Sequence, residues 1–207
     1  MNRTYHHLLF DVDGTLLNSR EAFTGSLEDA LDRHGIAHGD ISPYFTRTLA
    51  QFMADYAIAD PTFLPSWNAD YIARLAQAPL FDGVEHLLLA LHEAGVTMGI
   101  VTSRVHDIAL VGLAEKGLAH CFAEVVASTD VARPKPDPES IHLYMERHQA
   151  AASDILYVGD ALTDRQCALA AGATFAAPAW APLPPELLSD ALGMDQILAL
   201  ASGNKNL

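Results

Sequence analysis

Residues 5–19 read YHHLLFDVDGTLLNS, an apolar run ending in two aspartates one residue apart, Asp11 and Asp13, followed by Gly14 and Thr15. Two neighbouring carboxylates repel each other and gain by their closeness only where a positive group sits between them. The run itself is short, apolar and closed by turn residues, which marks a buried strand. Runs of the same kind recur at Leu8–Phe10, Met98–Val101, Val125–Ala127, Ile155–Val158 and Thr174–Ala177. Between them lie segments of helical period, such as GVEHLLLALHEAG (residues 83–95), with Val84, Leu87, Leu88 and Leu91 on one face. Strands that barely alternate, separated by helices, form a parallel sheet covered on both faces. The expected fold class is therefore α/β, a three-layer Rossmann-like core. Gly95, Gly117 and Gly172 each follow a helical stretch, where a C-terminal stop belongs.

From Asn18 onward the rhythm breaks. Residues 18–81 read as helices only, with stripes at Phe23, Leu27, Ala30 and Leu31, then around Phe52, Met53 and Tyr56, then at Trp67, Tyr71 and Leu75. This segment is expected to be an α-helical domain inserted after the first strand, with residues 1–17 and 82–207 forming the α/β core. No internal repeat or low-complexity segment is visible, and the proline-rich APAWAPLPPE (residues 177–186) reads as a loop.

Composition bounds the function. The chain has 207 residues, half of them hydrophobic and 18% charged, which excludes disorder. Its apolar runs fall far short of a membrane span, and its first residues lack the pattern of a signal peptide. Two cysteines, Cys121 and Cys167, in such a chain predict reduced, buried thiols and a cytoplasmic protein. The formal net charge of −14 repels nucleic acid and anionic membranes, so neither is an expected partner. The lysines are only Lys116, Lys135 and Lys205, so an anionic substrate must be held by a metal ion, one lysine, a few arginines or backbone amides.

In a parallel α/β sheet, ligands gather beyond the carboxyl ends of the strands. Polar groups stand at four such places: Asp11 and Asp13 after HHLLF, Thr102 and Ser103 after MGIV, Lys135 after EVVAS, and Asp160 with Asp164 after ILYVG. Carboxylates bind Mg²⁺, the usual companion of phosphate, and a lysine is a compact charge suited to a phosphate or a carboxylate nucleophile. That is the positive charge the paired aspartates call for. A calcium loop is excluded, because its sixth and twelfth positions, counted from Asp11, hold Leu16 and Ala22. Neither GxGxxG nor GxxxxGK[ST] occurs, and the ten histidines show no metal-binding spacing. Each site has a plainer structural alternative: a turn at DVDGT, a strand-end hydroxyl at Thr102, an exposed loop lysine at Lys135 and a helix cap at Asp164. Gly14 and Thr15 are expected to serve through backbone amides, with the glycine letting the loop turn close to a ligand.

DxDGT, a Thr/Ser strand end, the lysine of KPDP and a late GDxxxD, in this order, resemble the haloacid dehalogenase superfamily of phosphohydrolases. The likeness spans the whole chain, and the inserted helices look like that family's small cap. PLFDGVEHLLLALHEAG and STDVARPKPDPESI resemble its phosphoglycolate-phosphatase-like subgroup. The resemblance implies Asp11 as the nucleophile that forms an aspartyl-phosphate and Asp13 as the acid and base. It implies Mg²⁺ held by Asp11, Asp160 and the backbone carbonyl of Asp13, with Asp164 nearby fixing ligands or waters. Thr102, with Ser103, would contact the phosphoryl oxygens, and Lys135 would neutralise charge between Asp11 and phosphate. Two departures concern loop shape: Ala161 within GDxxxD, and APAWAP after the fifth strand without a glycine.

Among rivals, phosphonate cleavage needs a cap lysine that residues 18–81 lack, and a dehalogenase has no use for an acid at Asp13. A sugar phosphomutase shares all four motifs and stays open. A phospho-receiver domain would carry its phosphorylated aspartate after the third strand and no insert. The insert has four arginines, Arg20, Arg33, Arg47 and Arg74, against eight acids, a net of minus four. Such a lid favours a small soluble phosphomonoester, 2-phosphoglycolate by resemblance, with Arg47 the candidate to meet a substrate carboxylate. The sequence leaves the oligomeric state open.

Overall fold

The computed structural model describes residues 4–46 and 49–202. The chain divides into two compact units, Met1–Leu17 with Leu80–Leu207, and Asn18–Pro79. In the first, strands β1 (His7–Phe10), β2 (Thr97–Val101), β3 (Phe122–Val126), β4 (Ile155–Val158), β5 (Thr174–Pro178) and β6 (Ala191–Leu192) form one sheet in the order β3-β2-β1-β4-β5-β6. Every pairing is parallel. In register, Phe10 stands opposite Ile100 on one side and Val158 on the other. Strand order reverses between β1 and β4, which opens a crevice beyond their carboxyl ends.

Alternate residues of each strand enter opposite cores. Leu8, Phe10, Met98, Ile100, Leu156 and Val158 share one cluster with Val84, Leu87, Leu88 and Leu91 of α4 (Val84–Glu93) and Ile197 of α8 (Met194–Ser202). Leu9, Val101, Ile155 and Tyr157 share the other with Ile141 and Tyr144 of α6 (Glu139–His148) and Cys167 and Ala168 of α7 (Leu162–Ala170). The two-faced burial is what erased alternation from the sequence. A short α5 (Val111–Ala114) follows β2. Among the described residues, no helix is long and apolar enough to cross a membrane.

Three details differ from the sequence reading. β3 starts at Phe122, earlier than expected, because its first residues are only partly buried at the sheet edge and dilute the apolar signal. β6 and α8 were not anticipated, since a two-residue Ala-Leu strand carries no period. Leu80 and Phe81 belong with the α/β unit: Leu80 bridges to Leu17, and the Phe81 amide donates to Leu16 O at 3.1 Å.

The second unit is built from α1 (Arg20–Arg33), α2 (Leu49–Asp55) and α3 (Phe63–Gln77). Trp67 stacks on Tyr71 at 5.2 Å, Phe23 meets both rings edge-on, and Trp67 Nε1 donates to Ser26 Oγ at 2.9 Å. Arg33 pairs with Asp70, Arg74 pairs with Asp29, and Arg20 lies 4.5 Å over the Phe45 ring. Three of its four arginines are thus engaged inside the unit.

The α/β core is packed tightly enough to be tested at one atom. A Cβ added to Gly99 of β2 would stand 2.6 Å from Tyr144 Cε2 and 2.9 Å from Leu9 Cδ2, both on fully buried side chains. Gly99→Ala is expected to cost about 1–3 kcal/mol by overpacking. The check is a lower denaturant midpoint at unchanged slope.

Candidate active site

The DVDGT turn is set by its own backbone. Asp11 N donates to Val158 O at 2.9 Å, so β1 stays paired with β4 up to the first aspartate. Leu16 N and Leu17 N both donate to Val12 O, at 3.0 and 2.9 Å, and fold the chain back. Gly14 sits at φ +77 with its Cα against the Asp160 carboxylate, where a Cβ would overlap that carboxylate. Both a left-handed backbone and a missing side chain are therefore required there. The amides of Gly14 and Thr15 are taken up in the turn, donating to Leu17 O at 2.9 Å and Val12 O at 3.4 Å. This corrects the expectation that they face a ligand. The Thr15 hydroxyl does reach the site, donating to Asp160 Oδ1 at 3.0 Å.

Lys135 ties the motifs together. Its Nζ lies 2.9 Å from Asp11 Oδ1, 2.6 Å from Asp164 Oδ1, 3.1 Å from Tyr157 Oη and 3.4 Å from Val101 O. Its side chain is 3% exposed, so the expected alternative of a solvated loop lysine does not hold. Glu139, the first residue of α6, accepts from Ala132 N at 2.9 Å and Arg133 N at 3.1 Å and so braces the loop carrying the lysine. Asp164 does cap α7, accepting from Ala161 N at 3.0 Å on Oδ2, while its Oδ1 faces Lys135. One carboxylate thus caps the helix and faces the buried lysine.

Asp13 points elsewhere. Its two oxygens are gripped by Arg104, with Nε to Oδ2 at 2.6 Å and Nη2 to Oδ1 at 2.5 Å. The Arg104 side chain is 3% exposed, and its Nη1 also donates toward Ala109 O at 3.4 Å. Thr102 is buried and its Oγ1 accepts from Arg104 N at 3.2 Å, whereas Ser103 is exposed. The structure therefore gathers Asp11, Thr15, Lys135, Asp160 and Asp164, with Asp13 and Thr102 joined through Arg104. Arg47 lies outside the described residues.

Sequence reasoning missed Arg104, Tyr157 and Trp180. Arg104 was visible as a cation two residues beyond Thr102 in a chain poor in cations. Tyr157 was hidden in an apolar strand, and Trp180, which donates from Nε1 to Thr15 O at 2.8 Å, in a loop.

With only these side chains present, the carboxylates are short of positive charge. Burial pushes the Asp11 carboxyl up to about 7, with Asp164 and Asp13 adding repulsion and Lys135 opposing. Asp160 is pushed up to about 8 by burial and then by Asp11 and Asp164. Lys135 loses by burial but is held well above its usual range by Asp11 and Asp164. Burial and Asp164 keep Tyr157 protonated. One carboxylate oxygen each from Asp11, Asp160 and Asp164 lie within 4.8 Å of one another. An all-oxygen set with a charge deficit fits a hard divalent cation.

The fold and site define a Rossmann-like α/β enzyme with an acidic cluster and a buried lysine at its strand ends. The chain belongs to the haloacid dehalogenase-like hydrolases, whose family model matches residues 8–178. It is 29% identical over 188 residues to the pyrophosphatase PpaX of Listeria monocytogenes serotype 4a, covering 88% of this chain and 87% of the relative. To a phosphoglycolate phosphatase of Xanthomonas campestris pv. campestris it is 32% identical over 182 residues, covering 84% and 82%. A crystal structure from Lactobacillus plantarum, described as a candidate phosphoglycolate phosphatase, superposes with a TM-score of 0.81 at 26% identity, covering 95% of this chain and 99% of that one.

The raised carboxyls set a pH dependence. Folded Asp11 and Asp160 hold protons at pH values where the unfolded chain has lost them, so native stability falls as pH rises from about 4 toward 8. A divalent cation held by these carboxylates would take the place of those protons. In chelator-treated protein, the unfolding temperature is expected to drop between pH 5 and pH 8, and added Mg²⁺ to raise it more at pH 8 than at pH 5. Equal Mg²⁺ stabilisation at both values would refute the assignment.

Proposed function

We propose that this chain is a Mg²⁺-dependent phosphomonoesterase that works through an aspartyl-phosphate on Asp11. The observation that carries the reading is the Asp11 carboxylate 2.9 Å from the buried Lys135 ammonium, in one cluster with Asp160 and Asp164. Asp11 and Asp160 fit as side-chain ligands of the cation, with the backbone carbonyl of Asp13 a third. Asp164 is engaged by Lys135 and Ala161 N, which suits it to fixing its neighbours. When bound, the cation supplies Lewis-acid neutralisation of phosphoryl charge.

Asp11 attacks phosphorus, and the oxygen–phosphorus bond to the alcohol breaks as the Asp11–phosphorus bond forms. Asp13 gives the departing oxygen its proton and then takes one from the water that releases phosphate and frees Asp11. Lys135 offsets the charge that accumulates between Asp11 and the phosphoryl group, and Thr102 contributes a hydroxyl at its edge. Arg104 grips both Asp13 oxygens and so fixes the orientation of that carboxyl.

The substrate is a small soluble phosphate. Relatives named phosphoglycolate phosphatase support 2-phosphoglycolate, and relatives named pyrophosphatase support inorganic pyrophosphate as a second reading. The net charge of −14 disfavours nucleic acid and membranes as partners. Two free, buried cysteines agree with a cytoplasmic location.

A panel of phosphate compounds assayed with Mg²⁺ tests the reading. Release is expected from 2-phosphoglycolate or pyrophosphate without a bisphosphate activator, and far slower release from oligonucleotide ends and phosphoproteins. No Mg²⁺-dependent release from any small phosphate overturns it. Asp11→Asn keeps the shape and removes the attacking charge, so turnover is expected to fall at least about a thousandfold in folded protein. Asp13→Asn is expected to slow turnover about 10²–10⁴-fold while Mg²⁺ affinity changes little. Isothermal titration separates the roles: if Asp13→Asn weakens Mg²⁺ as badly as Asp160→Ala does, the division of labour is wrong.

A further inference from the structure

The hydroxyl of Tyr157 lies beneath the site, and no step above uses it. Tyr157 is the third residue of β4 and is fully buried in the core shared with α6 and α7. Its Oη stands 2.8 Å from Val101 O at the end of β2, 3.0 Å from Asp164 Oδ1 and 3.1 Å from Lys135 Nζ. Since β1 separates β4 from β2 in the sheet, the phenol spans a strand to reach Val101. One oxygen thereby meets three of the four segments that carry the site.

Core packing does not account for that oxygen. A phenylalanine ring fills the same volume, and burying a hydroxyl is unfavourable unless it is hydrogen-bonded. The proton count gives it a task. An ammonium has three N–H donors, and the three nearest oxygens around Lys135 Nζ are Asp164 Oδ1 at 2.6 Å, Asp11 Oδ1 at 2.9 Å and Tyr157 Oη at 3.1 Å. Val101 O, more distant from Nζ at 3.4 Å, receives the phenol proton instead at 2.8 Å. Every donor then has one near acceptor. Without the hydroxyl, the third N–H turns to Val101 O and draws the ammonium off the Asp11–Asp164 axis.

We propose that Tyr157 is a positioning residue: its hydroxyl fixes the Lys135 ammonium, and through it the Asp11 oxygen that attacks phosphorus. This rests on the phosphatase reading above. Small displacements of an attacking oxygen act on the chemical step more than on binding.

The test uses the full chain, Mg²⁺ and p-nitrophenyl phosphate. Tyr157→Phe is expected to lower kcat about 10–100-fold, the range typical of a partner behind a working group, with KM within about twofold. Thermal unfolding and circular dichroism establish that the variant is folded. Single-turnover phosphate release then compares Tyr157→Phe in the wild-type and Lys135→Ala backgrounds. With no ammonium left to hold, the second background is expected to show no further loss. The same fractional loss in both backgrounds overturns the proposal, because a purely structural role is additive. So does a Tyr157→Phe protein whose kcat per folded molecule stays within about twofold of wild type. Should Lys135→Ala not fold, the kcat and KM values of Tyr157→Phe decide alone. An inactive wild type sinks the phosphatase reading and this one with it, whereas an active wild type matched by Tyr157→Phe sinks this one only.

Discussion

The Lys135 ammonium enters the core on a side chain 3% exposed and meets carboxylates from two directions, Asp11 at the end of β1 and Asp164 in the first turn of α7. Buried charges persist only when paired and hydrogen-bonded, and deleting one partner strands the others. The arrangement therefore constrains every segment that touches it. The loop before α6 must hold the lysine, which explains why Glu139 reaches back to two loop amides and why Cys167 Sγ lies 3.2 Å from Asp137 O. Gly159 must lack a side chain because Asp164 lies against it.

Two cations serve four acids here. Lys135 pairs with Asp11 and Asp164, and Arg104 pairs with Asp13. Burial and mutual repulsion push the Asp11 and Asp160 carboxyls above their ordinary range. Arg104 thus separates the acids into two groups: one carboxyl whose orientation a guanidinium fixes, and an acidic cluster that fits a cation.

What the sequence revealed followed from patterns of short range. Apolar runs marked the strands, and apolar stripes at helical spacing marked α1 and α3. The order of Asp11, Thr102, Lys135 and Asp160 marked one edge of the sheet, because strand ends in a parallel sheet share a side. β6 escaped notice, being two residues after a proline-rich loop, as did the true start of the half-exposed β3. Arg104 and Tyr157 escaped for a different reason. Their roles depend on where a side chain arrives across the sheet, and spacing along the chain does not report that. Tyr157 alternates correctly for a core residue, and only its last atom departs from that pattern. The Gly14 and Thr15 amides show the converse: a loop rich in motif residues spends its donors on its own turn.

An acidic chain that acts on anions must solve attraction locally. The charge of −14 opposes the approach of any anion, but at physiological ionic strength that repulsion decays over about 8 Å. On the proposed reading, the balance inside the crevice would be set by directed groups instead: the Lys135 ammonium, the hydroxyl of Thr102 and a cation that Asp11 and Asp160 would hold. Such groups can neutralise one phosphoryl group at short range. A polymer of phosphates gains the same single set of contacts and adds repulsion along the rest of its length. On the proposed reading, selectivity for small phosphates would therefore arise from the contrast between an acidic surface and a few cationic atoms, before any residue touches the organic part of the substrate.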